Sequence, residues 1–344
     1  MTGALARARA IGDNARVKLR GAWWWLVSGG AGVACGALVA CGSAAGGSGV
    51  DPGDGAAGSG GGDPGAGGSA TAGAAGQPGA GGFGAIGGAA GSPPVNGCAD
   101  VQKTAEVYAH SPDTLYKLDP GTKATTTVAK FSGCKDQVID LAVDKAGRVF
   151  VTTFTSLERV DPVTAKCTTL KTGLTGTFPN SLSFVPAGTI SPSDETLVGY
   201  QAALDGDAYV RVDTTTGAVS PVPGGGGLPA GYQSSGDIVS VIGGGTYLTI
   251  KGGGGAYGTC ADCLVEVDPK TGNVLKKVAT LKFGSVFGLA FWAGITYGFT
   301  SSGQLFSVDL KTVTATEISI PQKPSGLKFW GAGSTTCAPP VEPE

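Results

Sequence analysis

The stretch "LVEVDPKT", residues Leu264 to Thr271, decides the fold, because the chain repeats it. Its counterparts are "LYKLDPGT" from Leu115, "LERVDPVT" from Leu157, "YVRVDTTT" from Tyr209 and "LFSVDLKT" from Leu305. Each carries an aspartate (Asp119, Asp161, Asp213, Asp268, Asp309) behind an apolar residue. A threonine stands three positions later in every copy (Thr122, Thr164, Thr216, Thr271, Thr312). The chemistry is that of a turn. An aspartate accepts hydrogen bonds from N–H groups two or three residues on, proline at the next position presets φ, and the threonine hydroxyl closes the same turn. Gly217 and Gly272 then supply residues tolerant of positive φ. Each aspartate has its own turn to serve, so the row reads as structural and not as a set of metal ligands. Spacings of 42, 52, 55 and 41 residues between the aspartates fit a unit of four short strands.

A second repeat counts the units independently. An apolar–small–apolar strand followed by glycine occurs at "LAVDKAG", "LSFVPAG", "VSVIGGG", "LAFWAG" and "LKFWGAG", led by Leu141, Leu182, Val239, Leu289 and Leu327. The two registers are offset: the first Asp turn has no such strand before it, and the last such strand has no Asp turn after it. Circular closure explains this, with the C-terminal strand innermost in the first unit, beside strands near Val107 and Leu115. Closure also removes two exposed sheet edges. The expected fold is all-β, a β-propeller of five four-stranded blades over residues 98–338, with 339–344 as a tail. A β-sandwich leaves the offset unexplained, and six or seven blades need further strands in the long loops. The blade period and the "VDPxTG" style of turn resemble the broad YVTN-like and quinoprotein-like propeller group, a resemblance that implies architecture and no particular activity.

The N-terminal part has a different character. Arg7, Arg9, Arg16, Lys18 and Arg20 precede an uncharged run, Gly21 to Ala40, that ends at "ALVACGSAAGG" (Ala37 to Gly47). A basic region, an apolar region and small residues before a break describe an export signal. Leu38-Val39-Ala40-Cys41 resembles a bacterial lipobox, which implies acylation of Cys41 and removal of residues 1–40. The glycines of the run make it a poor spanning helix, which disfavours an uncleaved anchor. Residues 42–97 hold 23 glycines in 56 positions and cannot bury enough surface to offset their ordering entropy. Together with Cys41 they read as a disordered tether (41–97) reaching on the order of 40 Å. The expected location is therefore outside the cytoplasm, lipid-anchored to the bacterial envelope, at the outer membrane in a Gram-negative cell.

Without residues 1–40 the chain keeps 19 basic and 25 acidic residues, a net charge of −6. That balance excludes general nucleic-acid binding, which needs a basic footprint. The body's six cysteines suit disulfides in an exported domain. Circular closure pairs Cys98 with Cys337, and "GTCADC" suits a local Cys260–Cys263 bond. Cys134 and Cys167 remain, although strand counting points them to opposite faces. No second Cys or His pair offers a zinc site, and no metal is expected. His110, the only histidine, falls in "AHSPD" and reads as a turn or solvent-facing residue. No "GxSxG" elbow accompanies it, so a Ser-His-Asp hydrolase is not indicated.

Three long connections, 201–207, 221–237 and 251–263, fall by strand order on one face of blades three and four. They gather Asp205, Asp207, Tyr232, Gln233, Asp237, Lys251, Tyr257 and Asp262, and Asp140 and Asn180 could reach the channel mouth on the same face. No cofactor is predicted, and Asp205 and Asp207 form at most a weak Ca²⁺ motif without a twelve-residue loop. The first expectation is a monomeric, non-enzymatic binding propeller for an envelope or extracellular protein or glycan. The alternative is a propeller enzyme, a carboxylate-based glycosidase or metal-dependent lactonase, acting through channel residues such as Asp140 and Asp237. A scaffold using its outer rim is a third reading.

Overall fold

The structure is a computed structural model that describes residues 98–102, 105–173 and 176–342. The signal, Cys41 and the tether lie outside the described residues. A short helix α1 (Ala99–Gln102) precedes the strands. Blade one holds β1 (Val107–His110), β2 (Thr114–Leu118) and β3 (Thr125–Lys130); blade two runs from β4 (Val138–Val143) and β5 (Val149–Thr153) to β6 (Ser156–Val160) and β7 (Cys167–Thr172). Blade three comprises β8 (Leu182–Val185), β9 (Thr196–Gln201), β10 (Ala208–Val212) and β11 (Val219–Pro221). Blade four comprises β12 (Tyr232–Val241), β13 (Gly245–Gly252), β14 (Cys260–Val267) and β15 (Val274–Thr280). Blade five comprises β16 (Val286–Trp292), β17 (Ile295–Thr300), β18 (Leu305–Asp309) and β19 (Thr314–Ile318), and the last strand, β20 (Gly331–Ser334), joins blade one.

Every sheet is a four-stranded antiparallel meander, and the first reads β20-β1-β2-β3. The chain is a five-bladed β-propeller closed by its own C-terminal strand. Inner strands β4, β8, β12, β16 and β20 pack side by side around the axis, β20 returning to β4. Each blade buries both faces, so successive residues serve different gaps: Leu141 and Val143 pack between blades one and two, Ala142 between two and three. Further apolar clusters fill the remaining gaps. Burial on both sides explains why an inner strand such as Leu182–Val185 is buried at every position, whereas an outermost strand such as Thr125–Lys130 is largely exposed.

The repeated aspartates form the turns between third and fourth strands. Asp161 Oδ1 accepts the Val163 and Thr164 N–H groups at 2.9 and 2.8 Å. Asp213 accepts those of Thr215 and Thr216 at 2.8 and 2.7 Å. These bonds hold the carboxyls of Asp119, Asp161, Asp213 and Asp309 below their ordinary range. Positive φ follows each turn: at Gly217 and Gly272, and equally at Lys123, Ala165 and Val313.

Two details of the expectations change, the span of the closing strand and the relative placing of Cys134 and Cys167. The closing strand is Gly331–Ser334 and not the segment led by Leu327; Leu327 and Phe329 enter the apolar cluster between blades five and one. Only a slim strand fits at the axis, since a Cβ on Gly333 would lie 2.8 Å from Leu141 Cδ1. The disulfides are Cys98–Cys337, Cys134–Cys167 and Cys260–Cys263. Strand counting misplaces the second pair because Cys134 lies in the link between blades, which runs beside β7 through a Ser132–Lys166 bridge. Disulfides of this kind belong to a protein outside the cytoplasm.

Candidate functional site

Two places gather the polar residues: a loop face over blades three and four, and the propeller axis beneath it. On the loop face the connections are shorter than the sequence suggests, because Tyr232 to Asp237 already belongs to β12 and Lys251 ends in β13. The remaining loops, 202–207, 222–231 and 253–259, are bonded to one another. Leu228 N–H donates to the Asp207 carbonyl at 2.8 Å, and Gly253 N–H to the Gly231 carbonyl at 3.1 Å. The backbones approach so closely that a Cβ on Gly206, at φ 108°, would sit 2.2 Å from the Leu228 carbonyl oxygen.

Side chains expected to meet a ligand instead brace this face. Tyr232 is wholly buried; its hydroxyl donates to the Gly258 carbonyl at 2.9 Å and accepts the Tyr257 N–H at 3.0 Å. The Tyr257 ring packs edge-on against it, with centroids 5.5 Å apart. Asp207 is buried and accepts the Ser234 N–H at 2.8 Å, while buried Asp262 accepts that of Ser285 at 2.8 Å. Burial pushes both carboxyls up, and Lys251 nearby pulls each back in part. Asp205, Gln233, Lys251 and Leu204 are exposed, and Tyr257 is half-buried. Asp205 and Asp207 therefore part company, one in solvent and one holding backbone.

At the axis, Asp140 and Asp237 converge. Inner strands carry N–H groups with no further strand to pair, and two carboxylates collect five of them, one from each blade. Asp140 takes Leu141 (2.7 Å) and Leu182. Asp237 takes Ile238 (2.6 Å) and Leu289 (2.5 Å) and, more distantly, Ala332 (3.4 Å). Both acids are fully buried, and burial is the main cause raising their pKa values; for Asp140 the neighbouring Asp237 charge adds to it. Asn180 is exposed, and its neighbour Ser181 is the buried residue ahead of β8.

Sequence reading misplaced His110. It ends β1, fully buried, and its ring reaches over Gly331, where a Cβ would lie 2.3 Å from Nε2 and 2.6 Å from Asp140 Oδ1. The missing signal was the thin "GAG" of β20, which only makes room for a ring once closure is known. Burial holds the imidazole down at about 4, against 6.5 ordinarily. A folded-state value below the unfolded one means that His110 contributes stability above pH 6.5, lost as the pH falls towards 4. Substitution His110→Gln is expected to flatten the wild-type loss of stability across that window, in urea titrations with EDTA present. Parallel curves for the two proteins would show a solvated imidazole.

No protein-family model matches the chain, and no curated protein matches it. Solved structures resemble it in fold. One is a chain of a nidogen/laminin complex, 13% identical with a TM-score of 0.42, covering 69% of this chain and 99% of that one. Another is a protein of unknown function from Bacteroides caccae, 12% identical with a TM-score of 0.37, covering 65% and 77%. A third is TolB from Acinetobacter baumannii, 13% identical with a TM-score of 0.39, covering 67% and 65%. At this distance they carry nothing about what this chain holds.

Proposed function

We propose that this protein is an exported, non-enzymatic binding propeller, tethered to the bacterial envelope by a lipid on Cys41 and holding a protein partner against the loops of blades three and four. The observation that carries the reading is the loop cluster itself. Three connections are bonded into one platform by buried Tyr232 and Asp207, and the platform presents Leu204, Asp205, Gln233 and Lys251 to solvent. A prebuilt surface loses little entropy on binding. A protein fits it better than a glycan, because sugar recognition favours open aromatic faces, and Tyr232 and Tyr257 are occupied with each other. Residues 41–97 serve as the spacer that lets the ring reach its partner.

The alternative of a glycosidase or lactonase needs a carboxylate that substrate can touch. Asp140 and Asp237 converge as that reading requires, but both are fully buried and engaged by backbone N–H groups. Their burial favours a structural role.

The double variant Leu204→Asp, Gln233→Lys is expected to lower partner capture from envelope extract by about tenfold, the scale of a lost interface anchor. Its unfolding midpoint should stay at the wild-type value, since both side chains are exposed. Undiminished capture by a folded variant would remove this face from consideration.

A further inference from the structure

We propose that Cys98 and the C-terminal segment 335–339 form an anchorage that carries tension from the tether into all five blades at once, which rests on the tether and loop-face reading given above. Beyond β20 the chain does not leave the ring. Residues 335–339 are buried and cross the end of the axis, meeting each blade. Thr335 bridges Val143 of blade two, and the Thr336 hydroxyl donates to Glu195 in the β8–β9 connection of blade three. The Thr336 carbonyl accepts the Ile242 N–H of blade four at 2.9 Å, and the Pro339 carbonyl accepts the Ala293 N–H of blade five at 2.8 Å. Cys337, in the middle of the segment, is bonded to Cys98 at the entrance to blade one. One covalent node thus joins the incoming chain to a strap that touches the whole ring. The strap is a tight turn around that node: Thr335 Oγ1 accepts the Cys337 N–H at 3.2 Å, and the Thr335 carbonyl that of Ala338 at 2.9 Å.

The position of the node decides where a pull is felt. The loops of blades three and four stand at the starting ends of the inner strands, and the strap lies at their far ends. β12 shows the span: Tyr232 at its start braces the loop platform, and Ile242, just past its end, bonds the strap. With ten residues, β12 is the longest of the described strands. Tension between a partner on the loop face and an anchored N-terminal segment therefore runs along the inner strands to the node. Without the Cys98–Cys337 bond it would enter through α1 and β1, each four residues long, and the ladders of β1 alone would resist it. With the bond, contacts to four further blades are loaded in parallel and must fail together. A short ladder loaded alone gives way at a lower force, because the barrier to its opening governs forced unfolding.

The two ends of the chain should therefore be mechanically equivalent. The test is single-molecule force spectroscopy on the full chain, with Cys35 and Cys41 alkylated and the disulfides left oxidised. One handle is a click-reactive side chain at exposed Leu204; the other is attached to the first residue or to the last. Wild-type protein should rupture at the same force from either end, with no extension step before the main event. In the variant Cys98→Ala, Cys337→Ala, pulling from the first residue should rupture at a lower force than pulling from the last. It should also show an early step on the order of 10 nm, the release of residues 98–137 at about 3.6 Å per residue. An early step or a lower force from the first residue of the wild type would overturn the anchorage. So would a folded variant that keeps the wild-type trace. Should the variant not fold, the two-ended wild-type comparison decides alone. Failure of the tether reading would show separately, as a mature protein without acyl mass, and leaves these traces unchanged.

Discussion

Replacing Asp237 with alanine is expected to destabilise the protein by at least about 3 kcal/mol, the largest loss from any single axial side chain. Asp237 meets the N–H groups of Ile238, Leu289 and Ala332, on three different inner strands. Truncation leaves three buried donors bare, each costing about 1–3 kcal/mol. Removing a carboxylate that burial already disfavours offsets part of this, which is why the lower bound is the expectation. Asp237→Asn separates the contributions. Its carbonyl oxygen can still accept from Leu289 and Ala332, but its NH₂ would face the Ile238 donor, so about half the loss should return. Urea unfolding of the three proteins measures the series. A loss below about 1 kcal/mol for alanine would mean that water reaches these donors, and the axis would not be sealed.

The second large effect concerns closure. Cys98–Cys337 spans 239 residues, and Cys260–Cys263 spans 3. If a cross-link acts by limiting the unfolded chain, the long bond is worth about 5 kcal/mol and the short one about 2 kcal/mol. The bond also flanks the pairing of β20 with β1, the one ladder between non-consecutive strands among the described residues. Cys98→Ala with Cys337→Ala should therefore lower stability far more than Cys260→Ala with Cys263→Ala. Hydrogen exchange should show β20 opening before the other inner strands, because it alone among them is joined by no hairpin to the strand it pairs with. Equal losses in the two double variants would mean that the ring does not depend on its latch.

The architecture was legible because a propeller repeats its instructions. Five Asp turns and five inner strands, offset by one, are the trace of a ring whose last strand completes its first blade, and the turn chemistry is local enough to read from residue type. Positions at the axis were only half legible. Asp140 and Asp237 could be named as channel residues, yet their partners are backbone N–H groups on strands up to 95 residues away, which no local pattern announces. His110 looked like a turn residue because its neighbours Ser111, Pro112 and Asp113 are turn formers. Its burial is decided by Gly331, far along the chain and adjacent only after closure. Tyr232 and Asp207 read as ligand-facing residues for a related reason: Gly-rich sequence marks a loop, but not which of its polar side chains brace the loop from beneath.

The central claim, that the loops of blades three and four form the binding face, is tested most directly by site-specific photo-crosslinking in the intact envelope. A photoreactive side chain at Leu204 stands on that face, and one at Val163 stands in a third-to-fourth-strand turn on the opposite face; both positions are exposed. The account predicts a discrete protein adduct from Leu204 and none from Val163. Adducts from Val163 with none from Leu204 would contradict it.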